Sequence, residues 1–304
     1  MRRVIEMINA IDIVRLYLGI GNVVSLVLPF VLLGMVSRLS WMWHVFWAFV
    51  CGVFAFLFWR MRFVEPHAVS IHHVHVPLGL QKKIALISDL HLGVFKDERF
   101  LQRIVHKINQ ISGIDFVVVA GDLTYEPHPH KIHDLFRPFQ HIVQEVYAVL
   151  GNHDVGFPWP AIREPLAKAL SQHNVRLLEN HIIAFDDFYL AGLGDFHGQE
   201  DDVTILDNCD PQKPKIVIAH NPDTALKYGD RIVDLTLSGH THAGQVRIPG
   251  LLGMAYRHIL KLVGPFDHGL HHHIFWKVYV SSWLGEVVMP WRLGSRPRID
   301  IIYV

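Results

Sequence analysis

Cysteine is nearly absent from this chain of 304 residues: there are two, Cys51 in an apolar run and Cys209 in a polar loop. Settings so different exclude a disulfide framework and fit a reducing compartment. Net charge is absent as well, because 28 Lys and Arg balance 28 Asp and Glu. No basic stripe of the kind that binds nucleic acid stands out, so no nucleic-acid partner is expected. Charge is also missing locally. No Asp, Glu, Lys or Arg occurs from Leu16 to Ser37 or from Leu39 to Trp59, and each run is about the length a helix needs to cross a bilayer.

These two runs predict transmembrane helices within 16–62, folded back as a hairpin at Ser37-Arg38-Leu39-Ser40. Trp41, Trp43 and Trp59 lie near the ends of the second span, where indole rings favour the headgroup zone. Ahead of them, Val4, Ile5, Ile8, Ile11 and Leu16 recur at helical spacing among Arg2, Arg3 and Arg15, as in an amphipathic helix lying on the membrane surface over residues 1–15. Arg60, Arg62, Lys82 and Lys83 follow the second span, and Arg38 alone separates the two. The positive-inside bias therefore places both termini in the cytoplasm. The expectation is a multi-pass protein of the inner (cytoplasmic) membrane, with a linker at 63–81 and a domain at 82–304 on the cytoplasmic side.

Within that domain, short apolar runs alternate with helical patterns. Ile84–Ser88, Asp115–Ala120 and Glu145–Leu150 read as strands, with helices after the first two at Phe100–Ile111 and Ile132–Ile142 and another over 160–172. This β-α-β order points to parallel pairing. Closely spaced strands follow at Val175–Leu178, Ile182–Phe185 and Tyr189–Leu193, where hairpins are expected. Lys215–Ala219, Asp234–Leu237, Val278–Ser281 and Ile299–Val304 complete the set, the last two closing a second sheet. The fold class is α/β: two mixed sheets face to face with helices outside.

Histidine is the residue in excess, at 23 positions, and several stand where strands end. Asp89-Leu-His91, Gly121-Asp122, Gly151-Asn-His-Asp154, Ala219-His220 and Gly239-His-Thr-His242 each follow a short apolar run. Loops at the carboxyl ends of strands are where such a scaffold carries its chemistry. Asp89, His91, Asp122, Asn152, His220, His240 and His242 together offer carboxylate, amide and imidazole donors, enough for two divalent ions sharing one carboxylate. Mixed oxygen and nitrogen donors without thiolate suit manganese first, with iron and zinc also compatible. Such an ion pair favours phosphate ester hydrolysis by clamping phosphoryl oxygens and offsetting developing charge. His271-His-His273 reads as structural or surface, and Asp195 and His197, in the Gly194-Asp-Phe-His-Gly198 turn, read as plain loop residues first and as the border of the pocket second.

In order and composition these motifs resemble the calcineurin-like metallophosphoesterase superfamily, over residues 82–304. The resemblance implies a four-layer α/β/β/α sandwich and a dinuclear centre. It assigns Asp89, His91 and His242 to one ion and Asn152, His220 and His240 to the other, with Asp122 bridging. It places His153 near the leaving group, where it would donate a proton or hydrogen bond, with Asp154 holding its imidazole in the useful tautomer. Ser88-Asp-Leu-His-Leu-Gly93, Ala219-His-Asn-Pro-Asp223 and Gly239-His-Thr-His-Ala-Gly-Gln245 look most like the membrane-associated YaeI/YkuE-like branch, which includes an enzyme cleaving UDP-2,3-diacylglucosamine to lipid X and UMP. Three positions depart from that branch: Ala243 and Trp283 stand where Gly is common, and Arg298 where Glu is common.

The resemblance and the apolar amino terminus together imply a membrane-anchored phosphoesterase acting on a phosphorylated lipid or nucleotide-lipid. The alternatives are a tethered phosphodiesterase for soluble esters or nucleotides, and a membrane scaffold whose domain only binds. The insert at about 246–275 mixes Leu251, Leu252 and Leu260 with Arg247, Arg257 and Lys261. It reads either as an amphipathic cover, its cations binding substrate phosphate, or as completion of the core.

Overall fold

In a computed structural model of the chain, residues 27, 41–156, 162–241, 245–246 and 266–304 are described. The expected interfacial helix at 1–15, nearly all of the first span, His242, and the insert between 247 and 265 with Arg247, Arg257 and Lys261 lie outside the described residues.

Helix α1, Trp41–Trp59, carries no charged residue and buries none of its side chains. At about 1.5 Å per residue it spans roughly 29 Å, the thickness of a bilayer's hydrocarbon core. With its continuation, Trp41–His67 is the one helix among the described residues long and apolar enough to cross a membrane. The described residues do not contain the expected hairpin.

The segment 63–81, expected from sequence as a linker, contains regular structure. It holds a 3-10 turn at Glu65–His67 and strand β1, Ser70–His75. β1 pairs in parallel with β14, Arg298–Tyr303. β14 also corrects an expectation: it belongs to the first sheet rather than the second, running antiparallel to β2, Lys83–Ile87. The first sheet continues in parallel through β4, Phe116–Ala120, β6, Glu145–Val149, and β7, Val175–Leu177. β7 is thus a crossover strand and not part of a hairpin. β3, Leu92–Gly93, and β5, Thr124–Tyr125, form a short separate ribbon. The second sheet runs β12-β13-β11-β10-β9-β8: Gly269–His272, Trp276–Val280, Val233–Ser238, Lys215–Ile218, Tyr189–Gly192 and His181–Ala184. Only its outer pairs, β8 with β9 and β12 with β13, are antiparallel.

Strand periodicity sorts the side chains into layers. Ile84, Leu86, Phe116, Val118 and Ile302 pack with Leu190, Ile216, Ile218, Leu235 and Leu237 between the sheets. Ala85, Ile87, Val117, Val119 and Ile301 face outward onto helices. There α2, Glu98–Asn109, presents Phe100, Leu101, Ile104, Val105 and Ile108 on one face, and the Asp97 carboxylate caps it by accepting from the Phe100 amide. The helix expected at 132–142 stops early: α3 covers Ile132–Phe136 and gives way to a 3-10 turn holding Pro138, whose ring cannot continue an α-helix. α4, Asn152–Val155, and α5, Arg163–Gln172, complete that layer. On the far side Val217, Val233, Val278 and Val280 meet Leu206, Ala225 and Tyr228. Among the described residues this fourth layer is made of 3-10 turns, Val203–Asn208 and Pro222–Lys227, in place of the α-helices expected there.

The foot of α1 is locked to the domain by buried charges. Glu286 pairs with Lys96 at 3.0 Å and with Arg292 at 2.6 Å, and all three are at most 3% exposed. Lys96 Nζ also donates to the Pro66 carbonyl, and the Arg292 amide donates to the carbonyl of Met61. Glu65 accepts from the Gly294 amide and pairs with Arg60. Burial pushes the Lys96 ammonium down to about 8, with Glu286 opposing the shift. The Arg292 guanidinium lies over the ring of Trp283, 5.1 Å from its centroid. Trp283 is fully buried at φ 43, a left-handed backbone that accounts for the glycine common at this place.

Removing one partner of a buried ion group strands the others, at a cost of about 3–5 kcal/mol. Glu286→Ala is therefore expected to lower the thermal midpoint of the detergent-solubilised chain by several degrees. An unchanged midpoint would show that the cluster does not hold the foot of α1.

Candidate metal centre

Five parallel strands deliver the site. β2, β4 and β6 of the first sheet end next to Asp89, Asp122 and Asn152, while β10 and β11 of the second end next to His220 and His240. The two groups meet because their loops bond across the sandwich. His220 Nδ1 lies 2.9 Å from the Ala120 carbonyl, and the His240 amide donates to Asp89 at 3.1 Å. A carbonyl only accepts, so the first contact requires a proton on Nδ1 and turns Nε2 toward the site. His91 Nδ1 lies 3.4 Å from the Thr124 carbonyl in the same manner.

Asp122 is the centre of the arrangement. Its Oδ2 is 3.2 Å from His220 Nε2, 3.8 Å from His91 Nε2 and 4.0 Å from His153 Nε2. Its Oδ1 accepts from the His153 amide at 3.0 Å. Asp89 lies 3.9 Å from His91, Asn152 Oδ1 3.3 Å from His220, and His240 Nδ1 3.2 Å from His220. Two overlapping sets of donor atoms result, Asp89-His91-Asp122 and Asp122-His220-His240, each within 4.8 Å.

Backbone conformation serves this convergence. Asp89, His91, Asp122 and His240 all have φ between 46 and 69, in the left-handed region. Two glycines allow the close approach: a Cβ on Gly151 would sit 2.2 Å from Asp122 Oδ1, and one on Gly239 2.3 Å from Asp89 Oδ2. Neither place can accept a side chain without moving a carboxylate.

The electrostatics call for a cation. Burial, with help from Asp122, lifts Asp89 to about 7. Burial would also raise Asp122, but the His220, His153 and His91 imidazoles outweigh it and hold that carboxyl well below the usual range. Burial opposes the charged form of His220, yet Asp122 and Asp89 lift it to about 10. In effect a proton on His220 stands in for missing positive charge. A divalent ion supplies that charge directly and displaces the proton from its ligand. The donor set, its burial and its charge all fit a pair of such ions sharing Asp122.

His153 lies at the rim, its side chain 13% exposed, and burial lowers its pKa. Its ring meets those of His91 and Tyr125 at 5.1 and 5.4 Å. Asp154 is not its orienting partner. The Asp154 carboxylate accepts from the amides of Leu123, Thr124 and Gly151 and from the Thr124 hydroxyl. It ties the Asp122 loop to the Asn152 loop and has no bond to His153. His197, read from sequence as a loop residue with the pocket border as the alternative, comes to the site: its Nε2 is 3.2 Å from His240 Nε2 and 3.3 Å from Asn221 Nδ2. The signal was present, since His197 follows β9, the strand beside β10, and occupies the same kind of strand-end position.

A family model for calcineurin-like phosphoesterases matches residues 82–244, more than half of the chain. An uncharacterised metallophosphoesterase of Campylobacter jejuni is 32% identical over 72% of this chain and 58% of its own length. A zebrafish (Danio rerio) transmembrane protein with a metallophosphoesterase domain is 31% identical over 72% of this chain and 52% of its own. The UDP-2,3-diacylglucosamine pyrophosphatase LpxG of Chlamydia muridarum is 28% identical over 58% of this chain and 67% of its own. The chain belongs to the calcineurin-like phosphoesterase family, and it spans less than two thirds of the length of the Campylobacter and Helicobacter relatives it matches.

The different partners of His153 and Asp154 predict different losses. His153→Ala should keep its metal content and lose about 10²-fold or more in turnover. Asp154→Ala leaves buried amides without an acceptor, at about 1–3 kcal/mol each, and should lower both the thermal midpoint and the metal bound, read by elemental analysis. Full metal content and an unchanged midpoint in Asp154→Ala would return that residue to an orienting role.

Proposed function

We propose that this member of the calcineurin-like phosphoesterase family is a membrane-anchored hydrolase of phosphodiester or diphosphate bonds that works with two divalent ions, manganese first, and acts on a lipid-linked substrate such as UDP-2,3-diacylglucosamine. The observation that carries the reading is the buried Asp122 carboxylate shared by two ligand sets. A domain that only bound a partner would have no use for such a convergence of costly buried charges. The apolar helix α1, exposed along its length, supports attachment to a membrane. The Chlamydia relative's name supports the substrate class.

When bound, the ions would polarise the phosphoryl group and activate water. In this reading Asp89 and His91, with His242, hold one ion, Asn152, His220 and His240 hold the other, and Asp122 holds both. The chain's own contribution is placement. The Ala120 and Thr124 carbonyls fix the tautomers of His220 and His91, so the ligand nitrogens are set in advance. His153, neutral at pH 7 because burial lowers its pKa, offers a ring N–H to the departing oxygen. Arg247, Arg257 and Lys261 are assigned to substrate phosphate. Arg60 and Arg62, directly after the span, support a cytoplasmic domain at the inner membrane.

The test is hydrolysis by the manganese-loaded, detergent-purified chain of UDP-2,3-diacylglucosamine, a phosphatidyl lipid, a cyclic nucleotide and bis-p-nitrophenyl phosphate. Selective release of UMP from the first is expected, with Asp122→Ala losing activity by at least about 10²-fold. Cleavage of only the soluble esters would replace the lipid reading with that of a tethered phosphodiesterase. No metal-dependent turnover of any substrate would overturn the enzymatic reading in favour of a binding scaffold.

A further inference from the structure

Between the foot of α1 and the metal centre runs one short stretch of chain, residues 283–295. At one end the Gly285 amide donates to the Asp89 carbonyl at 2.6 Å and the Leu284 amide to that of Ser88. At the other, Trp291 packs edge-on against Phe58 of α1, 5.9 Å between centroids, and the Arg292 amide bonds to Met61. Between these ends the Val288 amide donates to the Tyr125 hydroxyl at 3.1 Å. The Tyr125 ring is stacked on Phe95 and lies 5.4 Å from His153. The rim of the site and the base of the apolar helix are therefore parts of one surface.

That surface exposes large apolar side chains at several points. Phe63 at the helix foot is 55% exposed, Val288 52% and Val94, beside Phe95, 46%. Val288 also has φ 62, an unfavourable conformation for a β-branched residue, while its side chain stays exposed. Burial inside the fold does not explain that conformation. Next to Phe63 in the chain come Trp59, Arg60 and Arg62, with the Arg62 guanidinium over the Phe63 ring. Aromatic rings and cations beside a membrane-length helix are what the headgroup zone selects.

We propose that the rim carrying Val94 and Val288, continuous with Phe63 and the foot of α1, seats on the lipid bilayer, so that the metal centre opens at headgroup level. This rests on the membrane-anchored reading above and narrows it. The scissile phosphoester belongs to a lipid headgroup whose acyl chains stay in the bilayer while the phosphate reaches Asp122. The buried Lys96-Glu286-Arg292 group keeps the rim at a fixed height by holding the helix foot rigidly.

The experiment places a nitroxide on the full chain in lipid nanodiscs, at Val288→Cys or at Val143→Cys, in a Cys51→Ala/Cys209→Ala background. Val143 is 84% exposed and lies just before β6, at the end of that strand opposite the site. Collision with oxygen and with a water-soluble nickel chelate reports depth. A lipid-like ratio at 288 and an aqueous one at 143 is expected. Equal, aqueous ratios at both positions would overturn the proposal. Val94→Asp/Val288→Asp should lower turnover of lipid-embedded substrate about tenfold while bis-p-nitrophenyl phosphate hydrolysis stays within twofold. A lipid-seated label with no lipid substrate cleaved would support the docking face and count against the lipid-linked substrate instead.

Discussion

Everything near the site answers to the cost of one buried carboxylate. Asp122 is 1% exposed, Asp89 is fully buried, and His91 Nε2 lies within 4 Å of both carboxylates. Two carboxylates at this depth cannot both stay ionised unless positive charge lies between them. The His220 imidazole, which Asp122 and Asp89 favour in its charged form, supplies part of it, and the geometry leaves the rest to cations. The left-handed backbone at four donor residues and the glycines at 151 and 239, where a Cβ would collide with a carboxylate, are the local consequences. These strained loops persist because rigid parallel strands fix both their ends.

The sandwich makes that possible because two sheets end their parallel strands at the same edge. Contacts between sheets at that edge are polar: Ala120 to His220, Asp89 to His240. Beneath them the interface is apolar, from Leu86 and Val118 across to Ile218 and Leu237. A close-packed hydrophobic interior is barely compressible, so the ligands from the two sheets keep their register. Asp154 contributes in the same way by binding two loops of the first sheet to each other.

Much of this was legible in the sequence because it is local. An apolar run followed by Gly-Asp or Gly-Asn-His needs only strand periodicity to be placed at a strand end, and the ligand loops lie where that reading put them. Partner choice is not local. β14 carries Ile299 and Ile301 on one face and Ile302 on the other, a pattern that suits an inner strand of either sheet; only pairing with β2 and β1 decides it. β1 was hidden for a similar reason, since Ser-Ile-His-His-Val-His has too few apolar residues to announce a strand and is held by the edge of β14. Asp154 was misread because adjacency to His153 in sequence says nothing of side-chain direction on a helical turn, where neighbours diverge. The break at Pro138, by contrast, could have been read directly.

The manner of attachment bears on what the enzyme acts upon. A soluble substrate reaches a tethered domain from any direction, so a flexible linker would serve. Here the foot of α1 is fixed instead by Glu65, Lys96, Glu286 and Arg292, each at most 3% exposed, and Lys96 is held near the edge of losing its proton. Burying such a group contributes little net stability compared with an apolar replacement; what it provides is a single orientation. On the membrane-seated reading proposed above, such a clamp would hold the metal centre at one orientation to a phosphoester presented by the bilayer.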